Sequence, residues 1–291
     1  MVGVHRPRRR AAWIAVAAML FTVAACGQSR SDSAVDDAPL GTPTVTATVN
    51  VGEGPLLDVT VDPSTGTAYV TSSRDDLLSM IDADGGISAI EVGRAPAGVA
   101  VDPSTHTAYV TSLAEGAVSV IDIGSRTVTA TIPVGAVPQG IEVDPSTHAL
   151  YVATTGPGGA VSVIDPETLT VTDTITAGRS PHDVAVDPST RTAFVPNADD
   201  GSVSVIDPET LTVTDTLQVG KQPYGATVDP SARTVYVTNL DDRSVSVIDT
   251  ETRTVTDTVP VGSGPQGVAV DPTSHTAYVV NLDDSVSVIE R

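Results

Sequence analysis

One cysteine, Cys26, is all that the 291 residues hold, so no intramolecular disulfide can brace the fold. Aromatic residues are scarce as well: one tryptophan, Trp13, two phenylalanines and six tyrosines. A single lysine, Lys221, stands beside fourteen arginines, and 36 acidic residues outnumber the 15 basic ones. That imbalance opposes non-specific adhesion to nucleic acid or to anionic lipid headgroups. The longest apolar run, AAWIAVAAMLFTVAA, has fifteen residues, which is short for a helix crossing a bilayer. No GxSxG elbow, phosphate-binding loop, HExxH or CxxC occurs.

The apolar run follows a basic segment, HRPRRR, and small residues precede Cys26. A basic start, a short apolar stretch and a small-residue cleavage site are the parts of a secretory signal. The stretch VAAC resembles a bacterial lipobox, which implies cleavage before Cys26 and lipidation of that residue. We therefore expect residues 1–25 to be a lipoprotein signal peptide and the mature chain to sit in the cell envelope. It would be lipid-anchored on the extracytoplasmic side. Loss of four arginines leaves 11 basic and 36 acidic residues, a formal charge of −25. Lipid, and not basic charge, is then the expected membrane contact. Residues 26–43 are polar, acidic and unpatterned, and they read as a flexible tether with a random-coil reach of about 20–25 Å.

From residue 44 the chain repeats. VDP recurs six times, and its Asp falls at 62, 102, 144, 187, 229 and 271. Seven residues later stands an aromatic each time: Tyr69, Tyr109, Tyr151, Phe194, Tyr236 and Tyr278. Each unit reads as four short strands, a to d, with β-branched residues and a turn signal about every ten residues. Strands a, b and c are apolar on both faces, whereas d alternates Thr with Val, so d should be outermost with one face in solvent. In the a–b turn, VDPSTxT puts Pro at the first corner of a type I turn. Its last residue (Gly66, His106, His148, Arg191, Arg233 or His275) should need positive φ. The expected fold is an all-β, six-bladed β-propeller of four-stranded antiparallel blades over 44–291. The final unit lacks a strand d, and TVTATVNVG at 44–52 is a strand d without a blade. We expect that N-terminal strand to complete the last blade and close the ring.

YVTN at 236–239, with the variants YVTS, YVAT, FVPN and YVVN, resembles the signature of the YVTN-repeat (YncE-like) β-propeller family of surface-layer and periplasmic proteins. Related propellers often have seven blades, whereas six are counted here.

Propeller ligands usually meet the loops that gather at the axis, and the d–a and b–c loops should share one face. The d–a loops keep a Gly-x-x-Pro pattern but differ at their tips. After the proline come Leu56, Ala97, Gln139, His182, Tyr224 and Gln266; next come four glycines, with Asp58 and Asp183 in the other two units. Before it lie Arg94, Arg179 and Lys221, among others. This ring is where the repeats diverge chemically. The candidate mouth is thus Asp58, Arg94, Gln139, Arg179, His182, Asp183, Lys221, Tyr224 and Gln266, shaped for a small polar or anionic ligand or for a loop of an envelope or extracellular protein. Alternatively these are variable loop tips whose cations pair with nearby acids. SPHDVAV resembles mouth loops of enzymatic propellers such as virginiamycin B lyase, which implies a second alternative, a lyase or lactonase-type site around His182. No second histidine occupies an equivalent loop. DNA binding, known among relatives of the repeat family, is opposed by the charge. No cofactor is expected. Asp-Asp pairs opening strand c (Asp75/Asp76, Asp199/Asp200, Asp241/Asp242, Asp283/Asp284) and DADGG at 82–86 invite calcium but read as solvated turns. His106, His148 and His275 share one turn position in different units, too far apart around a ring for one zinc. A monomer is expected.

Overall fold

The structure is a computed structural model that describes Val51 and residues 55–135, 137–156 and 158–290. Six antiparallel sheets follow one another along the chain. The first blade is β1 (Leu56–Val61), β2 (Ala68–Ser72), β3 (Leu77–Ile81) and β4 (Ile87–Glu91). The second is β5 (Pro96–Asp102), β6 (Thr107–Ser112), β7 (Ala117–Asp122) and β8 (Thr127–Pro133). The third is β9 (Pro138–Val143), β10 (Leu150–Thr154), β11 (Ala160–Asp165) and β12 (Thr170–Thr176). The fourth is β13 (Ala185–Val186), β14 (Ala193–Asn197), β15 (Ser202–Asp207) and β16 (Thr212–Gln218). The fifth is β17 (Pro223–Asp229), β18 (Thr234–Asn239), β19 (Ser244–Asp249) and β20 (Thr254–Pro260). The sixth shows three strands, β21 (Pro265–Asp271), β22 (Thr276–Asn281) and β23 (Val286–Ile289). This is an all-β six-bladed propeller.

Burial follows the pattern of the residues. The run SVSVID of β15 is buried over its first five positions, while TVTDTLQ of β16 alternates between exposed and half-buried. Apolar clusters lie between blades: Val203 and Val205 of the fourth pack with Val235 and Val237 of the fifth. Large side chains of strand b, such as Tyr69, Tyr151, Phe194 and Tyr236, are fully buried.

The YVTN signature has a physical reading in the fifth blade. Tyr236 and Val237 fill the core. The Thr238 hydroxyl accepts from Gly225 N–H at 2.9 Å and donates to the Gln266 carbonyl of the next blade at 2.7 Å. Asn239 accepts from Gly220 N–H at 3.1 Å and donates to Ser244 and Ser246 at 3.1 and 3.0 Å, tying the strand end to the loop.

All six residues at the end of the a–b turn have positive φ, from 51° at Arg233 to 71° at Gly66. Five of the six turn aspartates, all but Asp271, are buried and accept from the Ser two residues on, as Asp144 does from Ser146 N–H at 2.9 Å. Three of them also take a side chain from the following blade. His148 Nδ1 lies 2.7 Å from Asp102, Arg191 Nε donates to Asp144 at 2.8 Å, and His275 Nδ1 lies 2.8 Å from Asp229. Two of the three histidines named above therefore serve junctions between blades, and no group of three His, Cys, Asp or Glu able to hold a metal occurs among the described residues.

The strand expected to complete the sixth blade lies, apart from Val51, outside the described residues. Val51 is buried, and its carbonyl accepts from Ser79 Oγ of the first blade at 3.0 Å. The Val134 carbonyl after β8 takes the same bond from Ser162 at 3.5 Å, so Val51 sits where a strand d ends. At this seam Val59, Val61, Val286 and Val288 are exposed, whereas the counterparts Val245 and Val247 are buried in a cluster with Ala277 and Val279 of the next blade. The signal and tether expected at 1–43 also lie outside the described residues.

Candidate functional site

The start of strand a comes to the axis in every blade. There the chain encloses a cavity of about 90 Å³, lined from each blade by two successive residues. The first of each pair are Leu57, Ala97, Gln139, His182, Tyr224 and Gln266; the second are Asp58, Gly98, Gly140, Asp183, Gly225 and Gly267. The lining residue of the first blade is Leu57 and not Leu56. Six residues lie between Pro55 and Asp62 against five between Pro96 and Asp102, and the extra one shifts the register.

Close approach of neighbouring strands explains three of the four glycines, Gly98, Gly140 and Gly225. A Cβ on Gly98 would lie 2.6 Å from the Gln139 carbonyl, and one on Gly140 would lie 2.8 Å from Asp183 Cα. Where Asp replaces Gly, the carboxylate reaches across the junction. Asp58 accepts from Val59 N–H at 2.8 Å and from Val99 N–H of the second blade at 2.9 Å. Asp183 repeats this with Val184 at 2.9 Å and Ala226 of the fifth blade at 3.0 Å. Blades one and four are opposite in a ring of six, so the two carboxylates face one another across the axis.

A third acid, Glu142 of β9, was not legible as a site residue, although a comparison of columns would find it. Its counterparts two residues before the turn Asp are Thr60, Ala100, Ala185, Thr227 and Ala269. Burial raises its carboxyl to about 8, with Asp183 and then Asp58 adding repulsion. Burial likewise raises Asp183 to about 7 and Asp58 to about 6, against the pull of their backbone hydrogen bonds.

Beside the acids, the His182 and Tyr224 rings stack with centroids 4.4 Å apart and planes inclined by 27°. Burial lowers the His182 pKa, with a smaller opposing pull from Asp199, which favours the neutral imidazole. Burial raises the Tyr224 hydroxyl, with Asp183 and Asp58 acting in the same direction. Among the described residues no carboxylate hydrogen-bonds the His182 ring, so the base–orienter pair used in acid–base catalysis is not built there.

The three cations expected at the mouth do not line the cavity. Arg179 pairs with Asp200 at 2.6 Å and donates to the Asp199 carbonyl at 3.0 Å. Arg94 lies 3.6 Å from Glu115. At Lys221 the backbone N–H is held by Asp242 at 2.8 Å. The reason is local: the acidic b–c turns stand beside the d–a loops and accept from them, as Asp76 does from Ala95 N–H at 2.9 Å and Asp283 from Ser263 N–H at 2.7 Å. Most of the paired aspartates so have a structural partner. DADGG forms a short c–d turn in which Asp82 N–H donates to Gly86 at 2.8 Å.

Of the nine expected mouth residues, Asp58, Gln139, His182, Asp183, Tyr224 and Gln266 therefore come together, while Arg94, Arg179 and Lys221 lie outside the lining. A propeller with a uniform frame and a chemically varied axial mouth is the class of protein that results. A family model described as YNCE-like beta-propeller matches residues 144–290, and the chain belongs to that family. Among solved structures it is similar to Kuenenia stuttgartiensis hydrazine synthase, with a TM-score of 0.61 and 19% identity over 84% of this chain and 98% of that one. That likeness concerns the fold alone. No curated protein matches.

Proposed function

We propose that the protein is a lipid-anchored extracytoplasmic binding module whose axial mouth receives a protein partner or a small polar ligand. One observation carries the reading: the cavity at the axis is lined by a position that changes chemically from blade to blade. The turn Asp keeps one identity from copy to copy, whereas the mouth position runs from Ala97 to His182 and Tyr224. Pockets with a few converging polar groups are where ligands bind. The basic and apolar N-terminal segments and Cys26 support the anchor, and the acidic balance opposes a nucleic-acid partner.

Affinity capture from envelope extract tests the mouth, using the intact chain against a Gln139→Ala, Tyr224→Ala, Gln266→Ala variant. Partners held by the intact chain and lost by the variant are expected; recovery of the same proteins by both refutes the reading. Metabolic acyl labelling tests the anchor, and incorporation should disappear in Cys26→Ser.

A further inference from the structure

The mouth reading leaves the charge of the ligand open, and the wall of the channel narrows it. Asp58 and Asp183 face one another across the axis, and Glu142 couples electrostatically to both. Glu142 lies two residues beyond the lining Gly140 on the same strand, and its coupling to Asp183 and Asp58 groups its carboxyl with theirs. Glu142 is half-buried, and burial is the main cause that raises its carboxyl. The Glu142 carboxyl makes no hydrogen bond among the described residues, unlike those of Asp58 and Asp183, which each hold two backbone N–H groups. A carboxyl desolvated in this way needs a partner or a proton. Among the described residues no cation forms an ion pair with Glu142, and Arg94 and Arg179 are engaged with Glu115 and Asp200 outside the lining.

Beside the acids stands the stacked pair of His182 and Tyr224, and a tyrosine face attracts cations. Gln139 and Gln266 add amide oxygens at the rim. A cavity of about 90 Å³ admits one charged head on a slim stem, and not a bulky metabolite. Carboxylates, an aromatic face beside them and amide acceptors around them suit an ammonium or guanidinium group and repel an anion.

We propose that the axial channel binds a single organic cation, a protonated amine or a guanidinium, with Glu142, Asp183 and Asp58 as its counter-charges and Tyr224 and His182 as its aromatic wall. The proposal rests on the mouth being a binding site and replaces the anionic alternative for that site. The cation can arrive as a free small amine or as a Lys or Arg side chain on a partner's loop.

The test uses the full chain in detergent, titrated by calorimetry at pH 8. Probes are n-butylammonium and n-propylguanidinium as free cations, acetyl-Gly-Lys-Gly-amide and acetyl-Gly-Arg-Gly-amide as peptide cations, and butyrate and acetyl-Gly-norleucine-Gly-amide as controls. At least one cation should bind, the controls should not, and Glu142→Gln and Asp183→Asn should each weaken binding by about ten-fold or more. Glu142→Gln replaces one planar head by another of equal size, and an unchanged melting temperature at pH 5 shows that it is folded. Tighter binding of the peptide cations assigns the source to a partner's loop; tighter binding of the free cations assigns it to a small molecule. Butyrate binding as well as the cations, no cation binding, or affinity unmoved by Glu142→Gln overturns the proposal. If partners are still lost from the mouth variant in the capture experiment, the binding reading stands and only the cationic ligand falls.

Discussion

The hydroxyl of Ser79, in the first blade, donates to the carbonyl of Val51 at 3.0 Å, the bond by which Ser162 holds Val134 at the end of β8. Val51 thus occupies the place of a strand d that ends beside the first blade. We predict that residues 44–52 close the ring. Full burial of Val45, Val49 and Val51 would contribute at most about 5–9 kcal/mol. A chain beginning after Gly52 should lose most of its thermal stability by scanning calorimetry; an unchanged melting temperature refutes closure.

The Arg191–Asp144 bond at 2.8 Å couples the fourth blade to the third. Burial acts to raise the Asp144 carboxyl, but bonds from Ser146, Arg191 and Thr147 together outweigh it and hold the group at about 2. A carboxyl depressed in the folded state adds stability above its unfolded value near 4 and loses it as pH falls through the folded one. Arg191→Ala should therefore cost about 1 kcal/mol at pH 7, discounted for the exposure of the arginine. The difference from the parent should shrink toward pH 2. Urea melts at both pH values check this.

The channel acids have the opposite sign. With folded values of about 6 for Asp58, 7 for Asp183 and 8 for Glu142, they keep protons that the unfolded chain has already released. Their contribution is greatest below pH 4 and declines as pH rises to about 8. His182, lowered by burial, acts in the other direction at acid pH, and Tyr224 titrates well above this window. Comparison with Glu142→Gln isolates the acid: the variant should match the parent near pH 4 to 5 and melt higher at pH 8.5. Parallel melting curves across that range would show that Glu142 is not held protonated.

Gly140→Ala brings a methyl group within 2.8 Å of Asp183 Cα, where backbone cannot yield easily, while a methyl group on Gly267 meets nothing within 4 Å. The first should destabilise by about 1–3 kcal/mol and the second should be near neutral. Denaturant midpoints of the two variants give the comparison.

Repeat spacing made the blade count, the outermost strand d and the positive φ of His106 or Arg191 legible, because each copy repeats the same local demand. The mouth was legible as a place, since Gln139, His182 and Tyr224 depart from their column. What could not be read was which neighbour each polar group meets. Arg179 and Arg94 adjoin the mouth in sequence, yet acidic b–c turns lie nearer and hold them. Glu142 was passed over as one more strand residue, although it alone is charged in its column. The bonds of His148 and Arg191 to aspartates of the preceding copy join residues about one unit apart, a distance at which a single sequence carries no pairing signal.

Those junctions bear on how such a ring changes size. The following copy brings the reaching side chain and the preceding copy brings the aspartate, so a duplicated unit arrives with one half of a joint at each end. Gain or loss of a whole unit can then alter circumference without new chemistry between neighbours. Only the axial opening has to be reinvented.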